Sequence, residues 1–537
     1  MPTTVDVLVD AIKEAGTPFL AGVPGEEGAL DIIEAAHRRD MRFILVKQES
    51  AGAMMAAAWG ELTGSPGLCL STRGPGASNM VNGVAHAYLD RSPLIAISDQ
   101  FPGPTLATGS HMRLDQTALY APITKWNSTL HAETVHQQIR RAIRTATCFA
   151  PGPVHLNLPT NEKLREAGSY ETDAPLRPKL EQIQPDRQAL QGPLGMINRA
   201  RKPIMLVGLG VLWADASAAT VALAERLGAP VLTTAKCKGV IPENHPLSAG
   251  CLWGGALEHK LIADADLIIT VGLDAVELQP KAWPFRTPLL ALSSEQMLDA
   301  EVPAELEVTG ELNGILQGLA ELGTEGTNWG EQRARDYRTQ MVAALNTPAK
   351  GLSPQRLFAV ARSVLPRNTV ASTDMGASRL VGAQLWDVYK PKEFLVSSGL
   401  ATMGYALPAA MAARMVYPDQ PIVAFCGDGG FLMAVAELQT AVREKLHVTV
   451  VVLDDGELGA MRVRQDLKGL HRKGTQLGGF DWESLARGFG AEGVVVDNEK
   501  SLGDALQLAC NSRQTTLIAA KIDASGYVDQ FKAMWGA

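Results

Sequence analysis

With 537 residues, 46% of them hydrophobic and 20% charged, the chain exceeds what one hydrophobic core ordinarily serves and is expected to divide into about three globular domains. A formal charge of −8, with no dense Lys/Arg run and no aromatic ladder, excludes a broad nucleic-acid or anionic-membrane footprint and points to a small-molecule partner. The six cysteines (Cys69, Cys148, Cys237, Cys251, Cys426 and Cys510) lie far apart, without C-x-x-C or zinc spacing, and read as thiols in a reducing compartment.

The opening stretch, "MPTTVDVLVDAIKEAG", carries acids at helical spacing where a signal peptide needs a basic start and an unbroken apolar core, so it reads as a first helix. Nothing approaches the roughly 20 apolar residues of a membrane span, and the expected location is the cytoplasm. Up to about 165, the runs "TPFLAGV", "RFILVK", "GLCLST" and "SPLIAIS" alternate with helical stretches, the pattern of a mostly parallel sheet. The polar, proline-containing segment 158–186 reads as a linker. A second block, 186–325, offers "KPIMLVG", "PVLTT", "DLIITVG" and "PLLALS" as strands. Its "VGLGV" turn has Gly208 and Gly210 but Trp213 where a dinucleotide fingerprint needs a third glycine, so it reads as a close-packed strand-to-helix turn. After a second linker, about 323–354, a third block fills 350–537 and opens near "NTVASTDMG". The fold class is therefore α/β, with three doubly wound, mostly parallel sheets.

In the third block "PIVAFC" reads as a buried strand and "FLMAVAELQTAVREK" as a helix with Leu432, Val435, Leu438 and Val442 on one side. "HVTVVVL" is the next strand. Such a βαβ crossover makes the strands parallel, so Asp428 of "CGDGG" and Asp455 of "LDDGELG" both follow strand carboxyl ends, where open α/β sheets bind ligands. Gly427, Gly429 and Gly430 let backbone approach a ligand, and free amides at a helix start favour phosphate. A carboxylate alone repels phosphate; Mg²⁺, which bridges carboxylates to phosphate oxygens, resolves the conflict. Taken singly, each loop reads as well as a tight turn or a solvated loop; their pairing across one βαβ unit favours a metal-diphosphate site.

These residues resemble the thiamine diphosphate enzymes of the acetolactate synthase, pyruvate oxidase and 2-oxo-acid decarboxylase superfamily. That family's fingerprint is Gly-Asp-Gly, a spacer of this length and usually Asn-Asn, standing here as "GDG" at 427–429 and "DD" at 454–455. The resemblance implies that Asp428, Asp455 and the main-chain carbonyl of Glu457 hold the metal. It brings Gly429, Gly430 and the loop with Gly376, Ala377 and Ser378 to the diphosphate, with Gly427, Leu458 and Gly459 in the same cradle. Asp455, in place of the usual Asn, adds a negative charge there and implies an altered metal preference. Glu49, in "VKQESAGAMM", occupies the position of the family's activating glutamate, which hydrogen-bonds the aminopyrimidine. "STRGPGASN" resembles a Gly-Pro-Gly-Ala-Thr-Asn loop and contributes Gly74. "SSGLATMG" resembles the segment whose carbonyl, here of Ala401, meets the aminopyrimidine and whose Met, here Met403, props the cofactor's bend. The family places its cofactor between the first domain of one subunit and the third of another, which implies a homodimer at least and a homotetramer commonly.

The expected chemistry is non-oxidative decarboxylation of a 2-oxo acid with carboligation to a second carbonyl. The alternatives are a simple decarboxylase releasing an aldehyde and a non-catalytic protein that kept the fold. A nicotinamide oxidoreductase lacks its ribose-binding acid. Many acetolactate synthases carry Arg-Phe-Asp-Asp-Arg where this chain has "LDAVE" at 273–277, which argues against FAD. His111, just before the residues "MRLDQ", stands where some decarboxylases have an active-site histidine, and a lone loop histidine otherwise reads as solvated. Met461 and Arg464, after the metal loop, are candidate substrate contacts. Arg464 stands where the biosynthetic synthases have a tryptophan, and its guanidinium suits an anionic or polar substrate.

Overall fold

A computed structural model of the chain describes all residues except 171, 173, 177–184, 299–300, 327 and 536–537. Part of the expected first linker falls on the residues outside that description. The first sheet contains β1 (Phe19–Gly22), β2 (Arg42–Leu45), β3 (Gly67–Ser71), β4 (Leu94–Gln100), β5 (Trp126–Thr129) and β6 (Pro153–Pro159). The second contains β7 (Pro203–Val207), β8 (Val231–Thr233), β9 (Ser248–Cys251), β10 (Leu267–Val271), β11 (Leu289–Ser293) and β12 (Leu306–Thr309). The third contains β13 (Val370–Thr373), β14 (Phe394–Val396), β15 (Ile422–Gly427), β16 (Thr449–Asp454), β17 (Glu492–Val496) and β18 (Thr516–Lys521).

All neighbouring strands in the three sheets pair in parallel. The first sheet runs β2-β1-β3-β4-β6-β5 and the third β14-β13-β15-β16-β18-β17, so the outer domains share one strand order. The middle sheet runs β12-β11-β10-β7-β8-β9, the double-wound order of dinucleotide-binding domains. In the third sheet the chain reverses direction between β13 and β15, and ligands of open α/β sheets bind beyond the strand ends at such a switch point.

The first helix, Thr4–Glu14, starts on a capping box in which Thr3 and Asp6 satisfy each other's backbone amides, and it buries Val5, Leu8, Val9 and Ile12 at helical spacing. The helix Glu49–Thr63 is buried along nearly its whole length. Its Met55 and Trp59 share one apolar cluster with Tyr405, Leu407 and Phe431 of the third domain. At roughly 1.5–3 kcal/mol for each large side chain so buried, this seam binds the outer domains together.

Two sequence expectations change. The stretch 431–445 is not one helix: Asp428–Ala434 and Glu437–Arg443 are separate. Between them Leu438 and Gln439 donate to carbonyls three residues back, tightening the turn at Val435 and Ala436. Leu432, Val435, Leu438 and Val442 nevertheless all face one core. The expected linker 323–354 contains a 17-residue helix, Trp329–Leu345, anchored by Ala334, Tyr337, Met341 and Leu345 beneath a polar exterior. Among the described residues no helix is long and apolar enough to cross a membrane.

Candidate active site

The loops after β13, β15 and β16 meet at the carboxyl edge of the third sheet because parallel register aligns their strand ends: Thr373 pairs with Phe425, and Gly427 with Leu453. They enclose a cavity of about 320 Å³. Gly376, Ala377 and Ser378 line it from the first loop, and Gly427, Asp428, Gly429 and Gly430 from the second. Asp455, Glu457, Leu458 and Gly459 come from the third, followed by Met461 and Arg464 on the helix Gly459–Leu467. Ala401 and Met403 reach it from the segment 397–404, while Trp253 and Gln279 of the middle domain complete the wall.

Asp428 joins two of these loops. One carboxylate oxygen accepts a hydrogen bond from the Gly429 amide at 2.7 Å, the other from the Gly456 amide at 2.8 Å. Burial pushes its pKa up to about 6 despite those two donors, and the neighbouring Asp454 adds to the rise. Burial, then the charge of Asp428, pushes Asp455 up to about 7. Asp454 itself is held by the Trp482 indole at 2.7 Å and by an ion pair with Lys521. Asp455 has less support: Oδ1 accepts a long 3.4 Å bond from the Glu457 amide, and Oδ2 is buried with no partner. A side chain at Gly459 would place its Cβ 2.8 Å from that oxygen, so the glycine keeps the space beside it open. Orphaned acceptors in a crowded anionic pocket are what a bound cation relieves. Among the described residues no cluster of three His, Cys, Asp or Glu side chains has metal-binding geometry.

Asp374 opens the loop 374–378 that the resemblance brings to the diphosphate, and its side chain, to which sequence reasoning gave no separate part, braces the cavity's loops rather than lining the cavity. Buried at the end of β13, it accepts from the Met375 amide at 2.8 Å and from the Gly404 amide at 2.9 and 3.0 Å. A Cβ at Gly430 would lie 2.7 Å from its Oδ2, so the same carboxylate also fixes the close approach of the second loop. Burial pushes its pKa up to about 7. No comparable apolar run marks it in the sequence, because Asp374 follows Ser372 and Thr373, unlike Asp428 and Asp455. Ala401 sits in the left-handed region, with φ of 57°, a conformation costly to any residue with a Cβ.

The segment 397–404 also hangs on Asp90, at the end of the helix Pro75–Leu89. The Asp90 carboxylate accepts from the Ser398 amide at 2.7 Å and the Leu400 amide at 3.4 Å. It pairs with His86 at 3.0 Å and with the fully buried Lys236 at 3.4 Å, whose other partner is Glu61 at 2.6 Å. His86 and Lys236 hold Asp90 well below the usual carboxylate range against the cost of burial. Charged residues of the first and middle domains thus form one buried network that holds main-chain amides of the third.

The predicted positions of the first domain form their own group and do not line the cavity. Glu49 is buried at the start of its helix and accepts from Asn79 at 3.3 Å. The Gly74 amide donates to Gln116 at 3.2 Å, and the Met112 backbone packs against Gly74. His111, beside Met112, is exposed. In the middle domain the glycine-pair turn is closed from within. The Leu209 amide and the Thr234 hydroxyl donate to Glu277 at 2.8 and 2.5 Å, and the Gly210 amide donates to the Gly272 carbonyl at 2.8 Å.

Three family models match in chain order: thiamine pyrophosphate enzyme, N-terminal TPP binding domain, at residues 2–119; central domain at 190–319; and C-terminal TPP binding domain at 374–520. The chain is 30% identical over 542 residues to the acetolactate synthase large subunit of Parasynechococcus marenigrum, covering 95% of this chain and 86% of that protein. It is 28% identical over 542 residues to the probable acetolactate synthase large subunit of Methanocaldococcus jannaschii, covering 96% and 91%. It is also 29% identical over 484 residues to a probable 2-ketoarginine decarboxylase of Pseudomonas aeruginosa, covering 87% and 84%.

Proposed function

Because the chain belongs to the thiamine diphosphate-dependent, acetolactate synthase-like enzyme family, we propose that it decarboxylates a 2-oxo acid without net oxidation and joins the remaining acyl unit to a second carbonyl compound. When bound, thiamine diphosphate would supply a carbon nucleophile for the 2-oxo group and a cationic ring able to take up the electrons released with carbon dioxide. The protein's own residues bind and orient. Asp428, Asp455 and the main-chain oxygen of Glu457 hold Mg²⁺, and Gly376, Ala377, Ser378, Gly429 and Gly430 take the diphosphate. Ala401 and Met403 meet the aminopyrimidine, and the partner subunit's Glu49 hydrogen-bonds it and holds the proton that sets its tautomer. Gly74 keeps the neighbouring turn tight, and His111 sits on the loop beside it.

The observation that carries this reading is the unpartnered Asp455 Oδ2 in a cavity walled by the loops after β13, β15 and β16. The reading takes the protein as a homodimer at least, and by family habit a homotetramer, because Glu49 does not line the cavity of its own protomer. Acetolactate synthase relatives support carboligation, and a cytoplasmic setting goes with the unpaired cysteines. FAD has no part in this reading: "LDAVE" replaces the usual motif, and its Glu277 fills the turn beside β7. The decarboxylase relative favours a second reading, release of an aldehyde.

The test is calorimetric titration of thiamine diphosphate into metal-replete protein, followed by incubation with a 2-oxo acid panel and mass spectrometry of the products. Tight uptake and a ligated product are expected. An aldehyde alone favours the second reading, and no uptake defeats both. Carbon dioxide release unchanged in Glu49→Gln would remove Glu49 from the catalytic set.

A further inference from the structure

Beside the cofactor cavity lies a larger one of about 840 Å³, walled by Trp253, Trp283 and Phe285 of the middle domain. The two share Trp253, Gln279, Arg379, Ser398 and Ala401, so they communicate. Arg379 stands at the passage, on the helix Ala377–Leu385, and is 5% exposed. Its Nη1 donates to the Ser397 carbonyl at 2.7 Å and points toward the Met375 sulfur at 3.6 Å. Its guanidinium lies 4.9 Å from the Trp253 ring centroid, and its Nε is buried with no partner.

Among the described residues no carboxylate forms an ion pair with it. The acids whose charge it feels are already engaged, Asp90 by His86 and Lys236, Asp374 by main-chain amides. Burial accordingly pulls its pKa down to about 10. A buried guanidinium without a counter-charge costs several kcal/mol unless something satisfies it. Of the acids on the larger cavity's wall, Glu277 spends both oxygens on Leu209 and Thr234, and Glu301 is exposed.

We propose that Arg379 anchors a distal carboxylate of the substrate, an elongated 2-oxo acid whose apolar stem lies against Trp253 at the passage between the two cavities. This rests on the reading above for where chemistry occurs, and adds the substrate class. Arg379 lines both cavities; a planar guanidinium backed by an indole is suited to a carboxylate, and the aromatic walls accept methylenes. Ser397 and Trp253 fix the guanidinium plane, so little is reorganised when the anion arrives.

The experiment compares two unreactive probes of equal length, glutarate and its half-amide glutaramate, by calorimetric titration of the full-length protein with and without thiamine diphosphate and Mg²⁺. Wild type is expected to bind glutarate roughly tenfold or more tightly than glutaramate. In Arg379→Met that preference should vanish while coenzyme uptake stays as in wild type. Arg379→Lys, which keeps the charge without the fork, should retain a smaller preference, and answers the question if the Met variant does not fold. Equal binding of the two probes by wild type, or binding of neither, overturns the proposal. So does a preference that survives in Arg379→Met, or a Met variant whose only defect is coenzyme uptake, which would assign Arg379 to the coenzyme. Failure of the functional reading shows separately, as absent coenzyme uptake with the glutarate titration intact.

Discussion

Asp428 accepts a hydrogen bond from the amide of Gly456 at 2.8 Å, and this contact locks together two acidic loops nearly thirty positions apart in the chain. It fixes Asp455 next to Asp428 while leaving Asp455 Oδ2 unsatisfied. The second carboxylate is thus available to a cation and poorly tolerated without one. Asp455→Asn removes a charge from this pocket and restores the residue usual in the family. Without added metal and coenzyme the variant should be the more stable, by about 1–2 kcal/mol, because a buried like-charge pair is gone. With Mg²⁺, Mn²⁺ and Ca²⁺ compared in turn, its order of coenzyme retention should differ from that of wild type. Identical retention across all three would end the proposal of altered metal preference.

The Asp428 and Asp455 loops were legible in the sequence because each is an acid-glycine break ending an apolar run, and a parallel crossover must bring such breaks to one edge. The same logic recovered the central strands, whereas edge strands β9 ("SAGC") and β12 ("LEVT") have no comparable apolar run. Asp90, Lys236 and Arg379 gave no sign, since their roles depend on partners in other domains: Ser398 lies 308 positions beyond Asp90. The helix Trp329–Leu345 was hidden by a surface so polar that four buried side chains did not stand out. The role proposed for Glu49 comes from family resemblance alone, and a single protomer does not bring it to the cavity.

Asp90→Asn tests the network behind the segment 397–404. The substitution leaves fully buried Lys236 with Glu61 as its remaining ion-pair partner and puts an amide where the Ser398 amide donates at 2.7 Å. Removing one member of a buried charge cluster costs about 3–5 kcal/mol. A lowered urea midpoint is expected, together with weaker coenzyme binding through the loosened Ala401 and Met403. Retention of both would mean that the network does not hold the segment.

Ala401→Gly is expected to act in the opposite direction. The left-handed backbone costs about 1–2 kcal/mol for a residue with a Cβ, and glycine's added freedom in the unfolded chain returns about 0.4–1 kcal/mol of that. The net gain should be up to about 1.6 kcal/mol in chemical denaturation. A loss of stability would mean that the Ala401 methyl group makes packing contacts worth more than the strain.

Glu258 sets a pH dependence away from the cofactor. It is fully buried, and its Oε2 accepts from the Trp253, Gly254 and Gly255 amides at 2.8, 2.5 and 3.3 Å. Burial outweighs those donors and pushes its pKa up to about 7. Between the ordinary glutamate range and pH 7 the folded state therefore binds more protons than the unfolded state, so this group's contribution falls as pH rises. Stability at pH 5.5 should exceed that at pH 8 by an amount that Glu258→Gln removes, at most about 2 kcal/mol. An unchanged pH slope in the variant would show that the carboxylate is already ionised across that range.

Arg464 lines the cofactor cavity from its exposed side, its guanidinium 5.5 Å from the Trp535 ring centroid. A solvated cation at a cavity mouth attracts anions but is screened by salt, unlike the buried Arg379. Arg464→Ala should raise KM for anionic 2-oxo acids about three- to tenfold at low ionic strength and leave kcat nearly unchanged, because the lost contact is equal in ground and transition states. The difference from wild type should shrink toward nothing near 0.5 M salt, where the screening length is only a few ångströms. A KM unchanged across a panel of 2-oxo acids and aldehydes would remove Arg464 from substrate recognition. A salt-independent rise would instead place its guanidinium in direct, desolvated contact with the substrate.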